Sequence, residues 1–177
     1  MKKQIEPVDK SLKPHINFPS FKRILVAYDG MQMSKRALSY AAYISKISNP
    51  EIVVINVVKS TKDSALPLTL MVDLEVNEEQ IDSTESSKVV REVTKEMIAA
   101  CKSARITGKI ICKIHGGNPA HEIIMLCDLM HFDLIIMGSR RIASRIQGVG
   151  STTRKIAATL NVPILIVQRQ PKYKDEW

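Results

Sequence analysis

"DLIIMGSRRIASRIQGVGSTTRKIAATLNVPILIV" (Asp133–Val167) is the stretch on which the fold turns. It opens on a short apolar run. A loop with glycines at 138, 148 and 150 and arginines at 140, 141 and 145 comes next. Helical spacing then runs from about Ser151 to Leu160, and a second apolar run, "VPILIVQ" (Val162–Gln168), closes the segment. Short, nearly continuous apolar runs are expected of strands covered on both faces. Strand, glycine loop, helix and strand form one parallel unit, and its loop composition serves no packed element.

The same alternation extends backwards. "RILVAYD" (Arg23–Asp29) reads as the first strand. Residues 33–48 read as an amphipathic helix, with Ala37, Leu38, Ala41, Ile44 and Ile47 at three- and four-residue steps, stopped at Asn49-Pro50. "EIVVINVV" (Glu51–Val58) is a second strand. Residues 59–77 show no period and read as irregular. A long helix is expected from about Glu78 to Arg105 along the stripe Val89, Val93, Met97, Cys101 and Ala104, ended by Gly108. "KIICKIH" (Lys109–His115) is a third strand, and Asn118-Pro119 suits the N-cap and first position of another helix. The expectation is an α/β protein: a five-stranded parallel, doubly wound sheet in a three-layer, Rossmann-like sandwich. Ligands in such sheets bind at the carboxyl ends of the strands, where the winding reverses. A reversal between the first and fourth strands would set "YDG" against "MGSRR" across one cleft.

Length and composition set bounds. A chain of 177 residues suits one domain, read as residues 21–170, with a flexible arm at 1–20 and a tail at 171–177. A net charge of +8 favours anionic partners. Cys101, Cys112 and Cys127 show no C-x-x-C spacing, as suits a reducing interior. "MKKQIEPVDK" lacks a secretory apolar stretch, and no run reaches the length of a membrane span. The expected location is the cytoplasm, with no membrane partner.

The loop's chemistry points to phosphate. Glycines let backbone approach a ligand closely. Gly150-Ser151-Thr152 opens a helix whose unpaired N–H groups and dipole attract anions. Ser151 and Thr152 add hydroxyls, and Arg140, Arg141 and Arg145 add charge suited to phosphate oxygens. The competing, purely structural reading makes Ser151 a helix cap and leaves the arginines solvated.

Residues 22–168 resemble a universal stress protein domain of the UspA type. The resemblance rests on "ILVAYDG", "GGNPAHEII", "DLIIMGSR" and "GVGSTTRKIAATLNVPILIVQ", in that order. It implies an adenine nucleotide alpha hydrolase-like fold and a stress-response role. It also implies a loop, G-x-x-G, nine residues, then G-[S/T], that binds the phosphates of ATP or AMP, with Mg2+ or Mn2+ held through them. Gly138, Arg140, Gly150, Ser151 and Thr152 match that segment. Asp29 matches the first-strand aspartate, Ala27 and Tyr28 precede it, and Val57 matches the position whose backbone meets the adenine edge. The chain departs from the pattern in two places: Arg141 stands at the second glycine, and eight residues, Ile142 to Val149, replace nine. Arg141 is read here as a remodelled phosphate contact. The resemblance further implies a homodimer paired through Val162–Gln168.

Other chemistries find less support. Asp29 has a bland alternative as a cap of the following helix. His115 and His121 lack a completing ligand set for a metal. Ser34 and Ser139 have no evident base partner. "YDGMQMS" lacks the S-G-G-x-D-S and H-I-G-H segments of adenylating enzymes, and no K-[S/T] follows the glycine loop. Aromatics are 5% of residues and do not interleave with the basic ones, which disfavours nucleic acid. The sequence therefore reads as a nucleotide-binding module acting without catalytic residues or rapid turnover. A nucleotide-independent interaction dimer and a slow ATPase are the alternatives.

Overall fold

Ile24, Leu25 and Val26 are fully shielded from solvent, which places strand β1 (Arg23–Ala27) at the centre of its sheet. The computed structural model describes residues 20–59, 68–74, 78–82, 88–115, 118–139 and 150–168. Around β1 lie β2 (Glu51–Lys59), β3 (Leu68–Asp73), β4 (Lys109–His115), β5 (Leu134–Gly138) and β6 (Ile164–Val167). The helices are α1 (Gln32–Ser48), α2 (Glu78–Asp82), α3 (Lys88–Ser103), α4 (Pro119–Leu129) and α5 (Ser151–Thr159). The strand order is β3-β4-β2-β1-β5-β6. β1 pairs in parallel with β2 on one side (Ala27 with Ile55) and with β5 on the other (Ala27 with Met137), so the winding reverses between β1 and β5.

Strand alternation divides the core. Ile24, Val26, Ile52 and Val54 pack with Ala37, Leu38 and Ala41 of α1 and Met97 and Cys101 of α3. Leu25, Val53 and Ile55 pack with Ile123 and Leu126 of α4 and Ile156 of α5. These two helical layers on a parallel sheet are the three-layer α/β sandwich expected.

The sheet nevertheless has six strands among the described residues, not five. Leu68–Asp73, inside the segment read as irregular, runs antiparallel to β4 with Leu68 opposite Ile114 and Asp73 opposite Lys109. It covers an edge of β4 that would otherwise present unpaired backbone groups. The long helix also needs correction. Its described parts are α2 and α3, and Val89 is 50% exposed while Val90, Thr94, Met97, Ile98 and Cys101 are buried. A stripe stepping by four residues gains about 40° per step over the 3.6-residue turn, which carries Val89 off the face. Ile47, placed in the α1 stripe, is 72% exposed.

The end of α3 falls earlier than Gly108. Arg105 takes a left-handed φ of 58°, and Ile106 N–H donates to the Cys101 carbonyl at 2.9 Å. Gly108 serves another purpose: a β-carbon there would lie 2.1 Å from the Ile52 carbonyl oxygen. Asn49 ends α1 in the left-handed region (φ 46°), and Asn118 Oδ1 accepts from Ala120 N–H at 2.9 Å, as its capping role requires. The arm at 1–19 and the tail from 169 onward lie outside the described residues.

Candidate functional site

The carboxyl ends of β1, β2 and β5 open into a cleft of about 500 Å3 at the winding reversal. Ala27, Tyr28 and Asp29 line it from the end of β1, Ile55 to Val58 from β2, and Met137, Gly138 and Ser139 from β5. Gly150, Ser151, Thr152 and Thr153 line it from the start of α5. Eight of the ten residues singled out in the sequence therefore meet at one place: Ala27, Tyr28, Asp29, Val57, Gly138, Gly150, Ser151 and Thr152. Arg140 and Arg141 lie outside the described residues, as does Arg145.

The first turn of α5 is the polar wall. Gly150 is the N-cap, with extended backbone and no side-chain cap, and the first helical bond runs from Arg154 N–H to the Gly150 carbonyl at 3.0 Å. The N–H groups of Ser151, Thr152 and Thr153 precede that bond and have no partner within the helix. Ser151 is the first helical residue and not the cap, which sets aside the capping role weighed for it. A β-carbon at Gly150 would meet nothing within 4 Å among the described residues.

Gly138 behaves differently. A β-carbon there would lie 2.6 Å from the Met33 carbonyl carbon and 2.7 Å from Ser34 N. Its lack of a side chain lets α1 begin directly against β5. This glycine is needed by the fold whatever the cleft holds.

Asp29 sits at the opposite wall. Its Oδ1 accepts from Met31 N–H at 3.1 Å and from the Ser34 hydroxyl at 2.7 Å. The bland reading is thus realised in part: the carboxylate braces the turn into α1, although the N-cap position belongs to Met31. Tyr28 is 3% exposed and packs in the α1/α3 layer. Its hydroxyl is 3.3 Å from Glu96 Oε1 on α3, and burial first, then that carboxylate, raise the phenol well above its ordinary pKa. The hydroxyl end of Tyr28 is therefore engaged at α3, and the residue contributes bulk to the cleft.

Sequence reading passed over Ser34, Asn56 and Ser139 as cleft residues. Asn56 was visible only as the residue before Val57. Ser139 gave no signal beyond its place after Gly138. It is 3% exposed, and its hydroxyl has no hydrogen-bond partner among the described residues.

Among the described residues no group of three His, Cys, Asp or Glu side chains could hold a metal ion. No helix among them is long and apolar enough to cross a membrane. Cys101 and Cys127 are free and buried, and burial pushes their thiols up to about 12 and about 11. Such thiols are poor nucleophiles.

Comparison with known proteins agrees with this architecture. The universal stress protein family model matches residues 20–168. Universal stress protein YxiE of Bacillus subtilis is 31% identical over 150 residues, covering 84% of this chain and 99% of its own length. A solved universal stress protein in complex with cAMP superposes with a TM-score of 0.55 at 20% identity, covering 84% of this chain and 98% of the other. One from Archaeoglobus fulgidus in complex with dAMP gives 0.54 at 17% identity, covering 84% and 99%. With its doubly wound sheet, its cleft at the winding reversal and a family match over nearly the whole described chain, this protein belongs to the universal stress protein family.

Proposed function

We propose that the cleft binds an adenine nucleotide, ATP or AMP, and that the protein works in the cytoplasm as a stress-response module by binding and not by turnover. The carrying observation is the meeting of an uncapped helix N-terminus, at Gly150–Thr153, with the Asp29 turn across one cleft of about 500 Å3. An anion is stabilised by N–H groups that have no partner within the helix and by the positive end of the helix dipole. Asp29 suits a ribose hydroxyl, and the apolar side chains of Ile55 and Val57 suit a base. Arg140 and Arg141 add charge to the phosphate end, and Mg2+ or Mn2+ would be held through the phosphates. Solved relatives described as complexes with cAMP and dAMP support an adenine nucleotide as the ligand class. Bound nucleotide biases a partner-binding conformation only by its differential affinity for two states.

A homodimer through Val162–Gln168 belongs to the same proposal. β6 is the terminal strand of the sheet, and Ile164, Leu165 and Ile166 are only partly buried there. Calorimetric titration with Mg-ATP and with AMP, together with native mass spectrometry of gently purified protein, tests the ligand. Micromolar binding that disappears in Gly150→Asp is the expected result. A folded wild type that takes up neither nucleotide would overturn the assignment in favour of a nucleotide-independent interaction dimer.

A further inference from the structure

We infer that Glu96 on α3 is a positioning residue for the nucleotide: it holds the Tyr28-Asp29-Gly30 turn from outside the cleft and so sets where Asp29 meets the nucleoside. The inference rests on the nucleotide reading. A single oxygen makes the contacts. Glu96 Oε1 lies 3.3 Å from the Tyr28 hydroxyl and 3.8 Å from Lys35 Nζ. A β-carbon on Gly30 would lie 3.3 Å from that same oxygen, closer than side chains ordinarily pack. Gly30 also takes a left-handed φ of 75°, which glycine adopts at no steric cost. The glycine of "YDG" therefore serves twice: it makes the turn, and it admits the Glu96 carboxylate. Asp29 stands between two neighbours that Glu96 touches.

Tyr28 carries the contact across the layer. It lines the nucleotide cleft and also a second cavity of about 400 Å3 between α1 and α3, where Lys35 and Glu96 lie. Its backbone N–H donates to the Ile55 carbonyl at 2.8 Å, so the sheet fixes one end of the turn. Its phenol keeps its proton and is the donor to Glu96. Ser34 and the Met31 N–H brace the Asp29 carboxylate from α1, and Glu96 supplies the brace from α3. The Lys35 and Glu96 side chains are each 55% exposed, and an exposed pair at 3.8 Å contributes little by itself. Glu96 thus acts through geometry. Geometry and charge predict opposite signs. A carboxylate repels an anionic ligand, so removing Glu96 for its charge alone should tighten AMP binding. Loss of the brace should weaken it.

The test is calorimetric titration with AMP and with adenosine, which lacks the phosphate. Wild type is compared with Glu96→Ala, Glu96→Gln, Tyr28→Phe, the Tyr28→Phe/Glu96→Ala double variant and Asp82→Ala. Glu96→Ala and Tyr28→Phe are each expected to lose about three- to tenfold in affinity, the range for one net hydrogen bond. Adenosine should lose as much as AMP, because the turn meets the nucleoside. The double variant should lose no more than the weaker-binding single variant, since both remove one contact. Glu96→Gln keeps an oxygen for the phenol and should retain most of the affinity. Asp82→Ala breaks the 2.9 Å pair with Lys95, the residue beside Glu96 on α3, and should bind as wild type does. Unchanged or tighter AMP binding in folded Glu96→Ala would overturn the inference and leave the nucleotide reading intact. A loss confined to AMP, additive losses in the double variant, or an equal loss in Asp82→Ala would overturn it as well. Failure of the wild type to bind either ligand would overturn both together.

Discussion

Asp29 and Ser34 hold each other reciprocally: the Ser34 hydroxyl lies 2.7 Å from Asp29 Oδ1, and Asp29 N–H donates to Ser34 Oγ at 3.3 Å. The same hydroxyl lies 2.9 Å from the Met31 carbonyl, so its single proton is shared between two acceptors. Ser34 is 3% exposed, and the pair fixes both the start of α1 and the aspartate at the cleft. Ser34→Ala is expected to lower unfolding free energy by about 1–2 kcal/mol, since it removes the acceptor of the Asp29 N–H and one of the donors to the Asp29 carboxylate. Urea unfolding measures that change, and titration with Mg-ATP should show weaker affinity. Unaltered affinity in a destabilised variant would mean that Asp29 does not need its brace to meet the ligand.

The two glycines of the cleft separate folding from binding. Gly138→Ala forces a β-carbon to within 2.6 Å of the Met33 backbone, and overpacking of that kind costs about 1–3 kcal/mol. Gly150→Ala meets no described residue within 4 Å, has an ordinary φ of −61°, and should change stability by no more than about 0.5 kcal/mol. Gly150→Asp should fold equally well and lose nucleotide, because a carboxylate then faces the phosphate end. Denaturant melts paired with calorimetry check all three. Retained binding in folded Gly150→Asp would remove α5 from the site.

Much of this was open to sequence reading, for a physical reason. β1, β2 and β5 are shielded on both faces, so they stand out as short, continuous apolar runs bounded by turn residues, and Asn118-Pro119 announces its helix through cap chemistry. β3 is an edge strand set behind Pro67 in a segment without period, and only the exposed flank of β4 explains why it forms. Gly138 matched a phosphate motif, yet its close approach to Met33 is a tertiary contact that no local pattern encodes. Ser139 was dismissed for want of a base partner. A hydroxyl becomes informative only once its burial and lack of a partner are known.

At the opposite end of the sheet, Asp133 Oδ2 accepts from Lys22 N–H at 2.7 Å and Arg23 N–H at 2.9 Å. The Arg23 N–H bond chiefly, then that of Lys22, hold its carboxyl below the usual aspartate value. A folded-state pKa below the unfolded one gives stability that is fully present above the unfolded value. That stability is lost as pH falls through the folded value. Asp133→Asn should therefore be less stable than wild type at pH 7, with the gap closing as the pH drops below about 4. Urea midpoints across that range decide it, and a gap independent of pH would assign the effect to geometry and not to charge.

β6 makes the assembly testable. Its outer edge is unpaired within the described chain, and Ile164 and Ile166 are partly exposed along it. Bare apolar edges invite pairing with a second copy, and two-fold dimers are the commonest closed solution. Ile164→Lys or Ile166→Lys should shift a dimer towards monomer or aggregate in light scattering. A monomeric wild type at micromolar concentration would sink the assignment.

Turnover is expected to be slow, because little in the cleft can activate water. General-base help is worth about 10²–10⁴-fold and requires a positioned acceptor. Asp29 is the carboxylate among the described cleft-lining residues, and its Oδ1 already receives the Met31 N–H and the Ser34 hydroxyl. No histidine is among the described lining residues: His121 lies on α4 and is exposed, and His131 is exposed just beyond its end. The helix end can stabilise charge on a phosphoryl group, but it cannot take a proton from water. ATP hydrolysis should run below about 10⁻² s⁻¹, against roughly 1–10³ s⁻¹ for typical enzymes. Phosphate release with Mg2+ or Mn2+ measures it. A rate near about 1 s⁻¹ that vanishes in Asp29→Asn would put the protein within the enzymatic range and replace the binding module with an ATPase.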